Sequence, residues 1–163
     1  MARAEHSHSY LAMAKRARGT SVNEYTLLAT DYLNCFNEIC MMMELIPSMP
    51  ECLEDCLAWQ LLTYEEHFRR SHIADAQLAL EAYAISPPEY RLALEKAAAN
   101  LENLIGATLA RVDKIQKEGR FSDAEETCLM GVTALKDRIG TISALINGQC
   151  KSQDEVDQLL ARI

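Results

Sequence analysis

Apolar side chains recur every three or four positions along most of this chain, which is the spacing of one face of an α-helix. Three long stripes of this kind predict helices at 22–46, 87–118 and 123–147. The first contains Tyr25, Leu28, Tyr32, Phe36, Ile39, Met43 and Ile46. The second contains Tyr90, Leu94, Ala97, Leu101, Leu104, Ile105, Thr108, Val112 and Ile115, and the third Cys128, Val132, Leu135, Ile139, Ile142 and Ile146. No segment alternates with the period of two that indicates a β-strand.

Helix ends are marked by capping residues and helix breakers. The capping-box pattern Ser/Thr-x-x-Glu, in which two backbone amides are satisfied at a helix start, occurs five times. The five pairs are Ser21 and Glu24, Ser48 and Glu51, Thr63 and Glu66, Ser122 and Glu125, and Ser152 and Glu155. Stop signals are Pro47, the Pro87–Pro88 pair, Gly119 and Gly148. These signals predict further helices at 50–59, 64–85 and 153–162.

The predicted fold is all-α, an antiparallel four-helix bundle with short accessory helices. Its four rods are 22–46, 64–85, 87–118 and 123–147, because short loops between long helices make them antiparallel neighbours. Residues 1–20 are expected to form a flexible basic N-terminal arm, 21–148 the helical bundle, and 149–163 a C-terminal amphipathic helix. The helix at 87–118 is longer than its neighbours, so its overhang favours packing against a second copy and predicts a homodimer.

The composition limits the classes of protein to which this chain can belong. A chain of 163 residues with 49% hydrophobic content has the size of one domain that buries a core. No apolar run is long enough to span a bilayer and no secretory signal is evident, so we expect a cytoplasmic protein that does not insert in membranes. The six cysteines are then interpreted as reduced thiols, most of them buried as small apolar side chains.

The net charge of −8 is unevenly distributed. Residues 1–20 carry four basic side chains and one acidic one, whereas residues 21–163 hold 12 basic and 23 acidic side chains. An acidic body of this kind argues against nucleic acid as a ligand.

The clearest functional signal is at the C-terminus. Ser152 and Glu155 cap a short stretch in which Val156, Leu159 and Leu160 share one helical face. The acidic side chains Asp154 and Asp157 lie outside that apolar face, and Glu155 belongs to the capping box. A helix this short is marginal alone, so it either folds back on its own body or docks on another protein. In the second case the candidate partner-binding residues are Asp154, Glu155, Val156, Asp157, Leu159 and Leu160.

This stretch resembles the response-regulator-binding peptide of the flagellar motor switch protein FliM, which has the pattern Ser-Gln-Asp/Glu-Glu-Ile-Asp-x-Leu-Leu. The matching residues run from Ser152 to Leu160, with Val156 in place of the isoleucine. Its C-terminal placement is similar to that of the regulator-binding helix of the chemotaxis phosphatase CheZ. The Asp-x-x-x-Gln pair of that phosphatase is not matched, because Thr141 stands four residues after Asp137. The resemblance thus implies docking to a response-regulator receiver domain, in chemotaxis or bacterial signalling, and not phosphatase activity.

An alternative function is a metal- or small-ligand-binding bundle. Glu24, Asp31 and Glu38 are spaced seven apart on one flank of the first predicted helix, and Glu66 and His67 begin the next long one. Carboxylates and histidine facing one another across a bundle are the ligands of di-metal sites, although the Glu-x-x-His motif of those sites is missing here.

No phosphate-binding loop, catalytic triad or pair of catalytic carboxylates is recognisable. We therefore predict a non-enzymatic adaptor protein that works through helical surfaces, and we expect no cofactor.

Overall fold

The computed structural model describes residues 2–149, Gln158 and Ala161. Over these residues the chain forms seven α-helices and, instead of any strand, a single isolated bridge between Val22 and Ala29. The helices are α1 (Ala2–Ala17), α2 (Asn34–Leu45), α3 (Cys52–Ala58), α4 (Tyr64–Arg70), α5 (Ala76–Ile85), α6 (Pro88–Lys117) and α7 (Phe121–Ile146), with a 3₁₀ turn at Thr30–Leu33. The all-α prediction is confirmed. None of the helices in the described ranges is both long and apolar enough to cross a bilayer.

The two longest helices, α6 and α7, form a hairpin, and the stripes predicted for them are buried. Between them the chain reverses at Gly119, whose φ of +77° belongs to the left-handed region that glycine adopts readily. Gly119 N donates to Gln116 O and Arg120 N donates to Ile115 O, which together make a Schellman turn. The predictions of helices at 87–118 and 123–147 are therefore confirmed.

Helix α2 packs on α7, and α3 bridges α2 and α6. The Sγ–H group of Cys128 on α7 donates to the backbone carbonyl of Met43 at 3.2 Å, while Lys136 of α7 pairs with Glu44 of α2 at the surface. Trp59 follows α3 directly, and its ring lies 6.2 Å from that of Phe36, so it anchors the short helix to the core.

The helix predicted at 22–46 is wrong in its first half. Helix α2 begins only at Asn34, and residues 18–29 form a loop. Asn23 Oδ1 accepts hydrogen bonds from the amides of Tyr25 and Thr26, and Leu27 has a φ of +57°, so the backbone turns where the apolar spacing predicted a rod. Tyr25, expected in the buried stripe, is 63% exposed.

This loop is held by hydrogen bonds from four other parts of the chain. The buried Thr26 hydroxyl donates to the carbonyl of Ile146 at 2.5 Å, and Ser86 donates to the carbonyl of Thr26 at 2.7 Å. Tyr64 Oη accepts from the amide of Ala29 at 2.9 Å, and Tyr10 Oη donates to the carbonyl of Tyr25 at 2.7 Å. The loop therefore ties together α1, α4, the α5–α6 junction and the end of α7.

The single helix predicted at 64–85 is also wrong, because the structure has two helices, α4 and α5. Ser71 lies in extended backbone, and its hydroxyl accepts from the amide of Ile73 at 3.1 Å. Asp75 next to the break accepts from the amide of Ser21 at 3.0 Å, so contacts with the distant loop replace continued helix here. The capping box at Thr63 and Glu66 is confirmed, whereas α3 and α7 begin without side-chain caps from Ser48 or Ser122.

The first 20 residues differ from the expected flexible arm. They contain α1, which packs on α5, and both Met13 and Ala17 are buried in the core. Arg16 pairs with Glu81 of α5 at 2.7 Å, so the basic side chains of this segment contact the acidic body. The core is one hydrophobic cluster that extends in sequence from Met13 to Ile146.

Candidate functional site

The predicted docking residues Asp154, Glu155, Val156, Asp157, Leu159 and Leu160 lie outside the described residues. The structure describes the end of α7, which comes directly before their segment. Gly148, with φ of +70°, follows α7; its amide donates to Leu145 O and the amide of Gln149 donates to Ala144 O. These two hydrogen bonds make a complete Schellman turn, so α7 ends in a defined turn at Gly148.

The five candidate metal ligands do not form a common site. Glu24 pairs with Arg18 at 2.5 Å, Glu66 accepts from the amide of Thr63 in the capping box, and Glu38 is exposed on α2. Only Asp31 and His67 approach each other. Nowhere in the described ranges do three or more His, Cys, Asp or Glu side chains converge to hold a metal ion. The predicted metal centre is therefore wrong.

Asp31 and His67 form a small polar contact under the aromatic cluster. The imidazole of His67 donates to the backbone carbonyl of Asp31, and its ring lies 5.7 Å from that of Tyr32. His67 Nε2 and Asp31 Oδ2 are both buried without a hydrogen-bond partner. Burial lowers the pKa of His67 despite the opposing effect of Asp31, because desolvation disfavours the charged imidazolium.

A groove lies between α4, α5 and α6, and we call it the tyrosine groove. Its volume is about 520 Å³. It is lined by Tyr32, Leu61, Thr63, Tyr64, Glu65, Tyr83, Leu94, Glu95, Ala98, Ala99 and Glu102. Tyr64 is central to it, since its ring stacks on Tyr83 with centroids 4.4 Å apart and meets Tyr32 at 5.2 Å.

Three carboxylates stand around these rings. Glu95 accepts a 2.5 Å hydrogen bond from Tyr83 Oη, and Glu65 pairs with Arg69 at 3.3 Å. Glu102 makes no hydrogen bond or ion pair with the described part of the chain. Burial and the neighbouring Glu95 raise the pKa of Tyr83, so its hydroxyl stays protonated and donates to that carboxylate. The groove can therefore offer apolar surface and negative charge together.

Sequence reasoning missed the tyrosine groove because its residues come from separate elements. Tyr64 and Tyr83 are 19 positions apart and belong to the two helices that replaced one predicted rod. The only sequence signal is the Pro87–Pro88 break, which turns α5 back on α6 and so places Tyr83 beside Glu95.

The cysteines are not arranged for chemistry. Cys35, Cys40, Cys56 and Cys128 are buried, and all five described cysteines are free thiols. Burial raises the pKa of Cys35 to about 12 and that of Cys56 and Cys128 to about 11, which leaves almost no thiolate at neutral pH. Their prediction as small buried apolar side chains is confirmed.

Comparison of the chain with protein families, curated proteins and solved structures found no match.

Proposed function

We propose that this chain is a non-enzymatic interaction protein that docks a response-regulator receiver domain through residues 149–163. The observation that carries the proposal is the sequence of that segment, a capped amphipathic stretch that starts just after the Schellman turn at Gly148. Because α7 ends at this turn, we propose that the segment after it binds as a helix in the groove of a partner.

In this mechanism Val156, Leu159 and Leu160 fill an apolar groove on the receiver domain, while Asp154 and Asp157 meet basic residues at its rim. The charge of the body is compatible with this role. The exposed surface of α7 carries Glu125, Glu126 and Asp137, which have the same sign as the acidic side chains of the segment.

The full-length protein should bind an isolated chemotaxis receiver domain in a calorimetric titration, with a Kd below about 1 mM, weakened by added salt. The double variant Leu159→Ser/Leu160→Ser should lose binding, because it removes the apolar anchors. Gln158→Ala is the matched control, since Gln158 is exposed and lies outside the apolar face. A full-length protein that shows no saturable binding, or a double variant that binds as well as wild type, would remove the proposal.

The proposal includes a homodimer in the cytoplasm. Large apolar side chains are exposed on the two neighbouring helices α2 and α7, namely Met41 and Leu45, and Leu129 and Met130. Free thiols throughout the described cysteines support a reducing compartment. An antiparallel four-helix bundle, with α2 and the pair α4 and α5 in place of the predicted rods 22–46 and 64–85, would serve as the rigid support for both surfaces.

Light scattering should give twice the 18.3 kDa chain mass. Met130→Glu should shift the protein towards monomer, because a charge would be buried at the contact. Leu92→Glu on α6, where the side chain is 59% exposed, is the control and should remain dimeric. A wild-type protein that is monomeric at all concentrations would contradict the dimer.

A further inference from the structure

We propose that the tyrosine groove binds a small organic ammonium ion with an apolar body. This site is separate from the docking segment 149–163 and does not depend on the function proposed for it.

The groove has the size and lining of a small-molecule site. Its volume of about 520 Å³ lies within the range of about 300–1,000 Å³ that is usual for such sites. Leu61, Leu94 and Ala98 supply aliphatic surface, and Tyr32 and Tyr64 supply aromatic surface while being almost completely buried themselves. Because these tyrosines are fixed by ring contacts and hydrogen bonds, the cavity is formed before a ligand arrives.

The hydroxyl groups of the three groove tyrosines already make hydrogen bonds within the protein. Tyr32 Oη donates to the carbonyl of Leu62 at 2.9 Å, Tyr64 Oη accepts from the amide of Ala29, and Tyr83 Oη donates to Glu95. A ligand therefore meets carboxylates as the main free polar groups. This favours a hydrogen-bond donor over an acceptor.

The charges around the groove favour a cationic ligand. Of the three carboxylates, Glu65 has a cationic partner, Arg69, whereas Glu95 is bonded to a neutral hydroxyl and Glu102 has no ion pair in the described residues. Arg91 lies 5.9 Å from the ring centroid of Tyr83, so that ring already attracts a cation on the protein side. The three carboxylates are exposed, so they attract a cationic ligand, repel an anionic one and give a neutral one no charge interaction.

The two less compensated carboxylates also have a suitable placement. Glu95 and Glu102 are seven residues apart on α6, so they lie on one face with about 10 Å of helix between them. Ala98 and Ala99 lie between the two and line the groove. The small side chains leave room for the apolar body, and an ammonium group can reach either carboxylate from it.

Phenethylamine is the probe, because it is an ammonium ion at neutral pH with one aromatic ring. Phenethyl alcohol and phenylacetate have a similar shape with neutral and negative charge. Each is titrated into the full-length protein by calorimetry, with NMR of ¹³C-labelled tyrosine rings as a second readout. We expect saturable binding of the amine, binding of the alcohol weaker by about tenfold as for loss of a charge-assisted contact, and none of phenylacetate.

Two variants locate the binding. Glu102→Gln removes the uncompensated charge and should weaken amine binding by about fivefold to tenfold. Ala99→Phe fills the groove from an exposed helix position and should abolish it. The matched controls are Glu54→Gln on α3 and Ala107→Phe on α6, both at exposed positions outside the groove lining, and neither should change binding.

Equal affinity for the amine and the alcohol would overturn the assignment of a cation. Unchanged binding to Ala99→Phe would overturn the location, and no saturable binding up to about 10 mM amine would overturn the site itself. Shifts of the Tyr64 and Tyr83 ring signals with the amine, absent in Ala99→Phe, are the supporting outcome.

Discussion

At the scale of single residues, the most unusual positions are buried polar atoms without partners. His67 Nε2 and Asp31 Oδ2 are both enclosed and make no hydrogen bond, although buried polar atoms in native proteins are nearly always paired. The free-energy cost of leaving His67 Nε2 unpaired is limited, because the other side of the ring is bonded to the backbone of Asp31. The ring also packs on Tyr32 and Phe68. His67 is therefore held neutral by its surroundings.

The lowered pKa of His67 predicts a dependence of stability on pH. Below its unfolded pKa of about 6.5 the unfolded chain takes up a proton that the folded protein resists, so folding loses free energy as pH falls through this window. The free energy of unfolding from urea titrations should decrease below about pH 6.5 and level off once the folded imidazole is also protonated.

The substitution His67→Gln should flatten that decrease, because glutamine does not titrate. His72→Gln is the control, since His72 is exposed beyond the end of α4, and it should leave the pH profile of the wild type in place. A profile of His67→Gln that still falls as steeply as the wild type would assign the dependence to other groups.

At the scale of elements, the loop at 18–29 and the α6–α7 contact determine how the helices meet. The loop supplies a hydroxyl to the last carbonyls of α7, which have no partner within the helix itself. Thr26 is fully buried, and its Oγ1 donates to Ile146 O across 120 positions of sequence. One side chain thus satisfies a buried helix end and fixes the loop on it.

We predict that Thr26→Val lowers the free energy of unfolding by about 1–3 kcal/mol. Valine keeps the shape of threonine but leaves the buried carbonyl of Ile146 without its donor. Thr133→Val is the control, because the Thr133 hydroxyl bonds the carbonyl of Leu129 at an exposed helix position, and a change within about 0.5 kcal/mol is expected there. Equal effects of the two substitutions in urea unfolding would show that the bond to Ile146 adds no stability.

Helices α6 and α7 are in close contact at Gly131. A Cβ atom placed there would overlap Thr108 Cγ2 and lie only 3.0 Å from Thr108 Oγ1, and Thr108 is a stiff, buried side chain. Gly131→Ala should therefore destabilise the protein by about 1–2 kcal/mol, because overpacking outweighs the gain in helix propensity.

Gly140→Ala provides the matched comparison, since Gly140 is in the same helix with no atom within 4 Å of the added Cβ. It should stabilise the protein by about 0.5–1 kcal/mol in thermal or urea unfolding. Adding Thr108→Ser to Gly131→Ala should recover part of the loss, because it removes the overlapping methyl group. A double variant no better than Gly131→Ala alone would contradict this account of the contact.

The sequence predicted the elements whose ends are marked locally. Helices α6 and α7 combine regular stripes with Pro88, Gly119 and Gly148 at their ends, and both were predicted to within about two residues. The region at 22–29 has the same apolar spacing, yet it forms a loop. In it Thr26 donates to the carbonyl of Ile146 and accepts from the amide of Leu28, and the amide of Ala29 donates to Tyr64. Hydrogen bonds to distant residues produce no recognisable pattern in the local sequence.

The candidate sites follow the same rule. The docking segment is predicted from the sequence alone, because its cap and its apolar face lie within nine adjacent residues. The metal prediction failed because it assumed that Glu24, Asp31 and Glu38 lie on one continuous helix, and only Glu38 is part of α2. The tyrosine groove depends on how three helices meet, which apolar spacing does not specify.

At the scale of the whole molecule, one hydrophobic cluster joins the helices from α1 to α7. It begins at Met13, includes the loop residues Val22 and Leu28, and ends at Ile146. The turns at Gly119 and Gly148 lie at the C-terminal ends of α6 and α7 and close them with Schellman hydrogen bonds. The docking proposal places the binding residues after the second turn, outside this cluster.

The proposed docking role therefore predicts that the body folds without its C-terminus. Removing residues 150–163 leaves the Schellman turn at Gly148 and the Thr26 bond to Ile146 in place, so the free energy of unfolding should change by less than about 1 kcal/mol. Urea titrations of the truncated and full-length proteins measure this, and binding of a receiver domain should be lost in the same truncation. Replacing Gln158 by alanine in the full-length chain controls for a local change in the segment. A loss of several kcal/mol on truncation would mean that the segment completes the core of the body, because its three apolar side chains would then be anchored there and not in a partner.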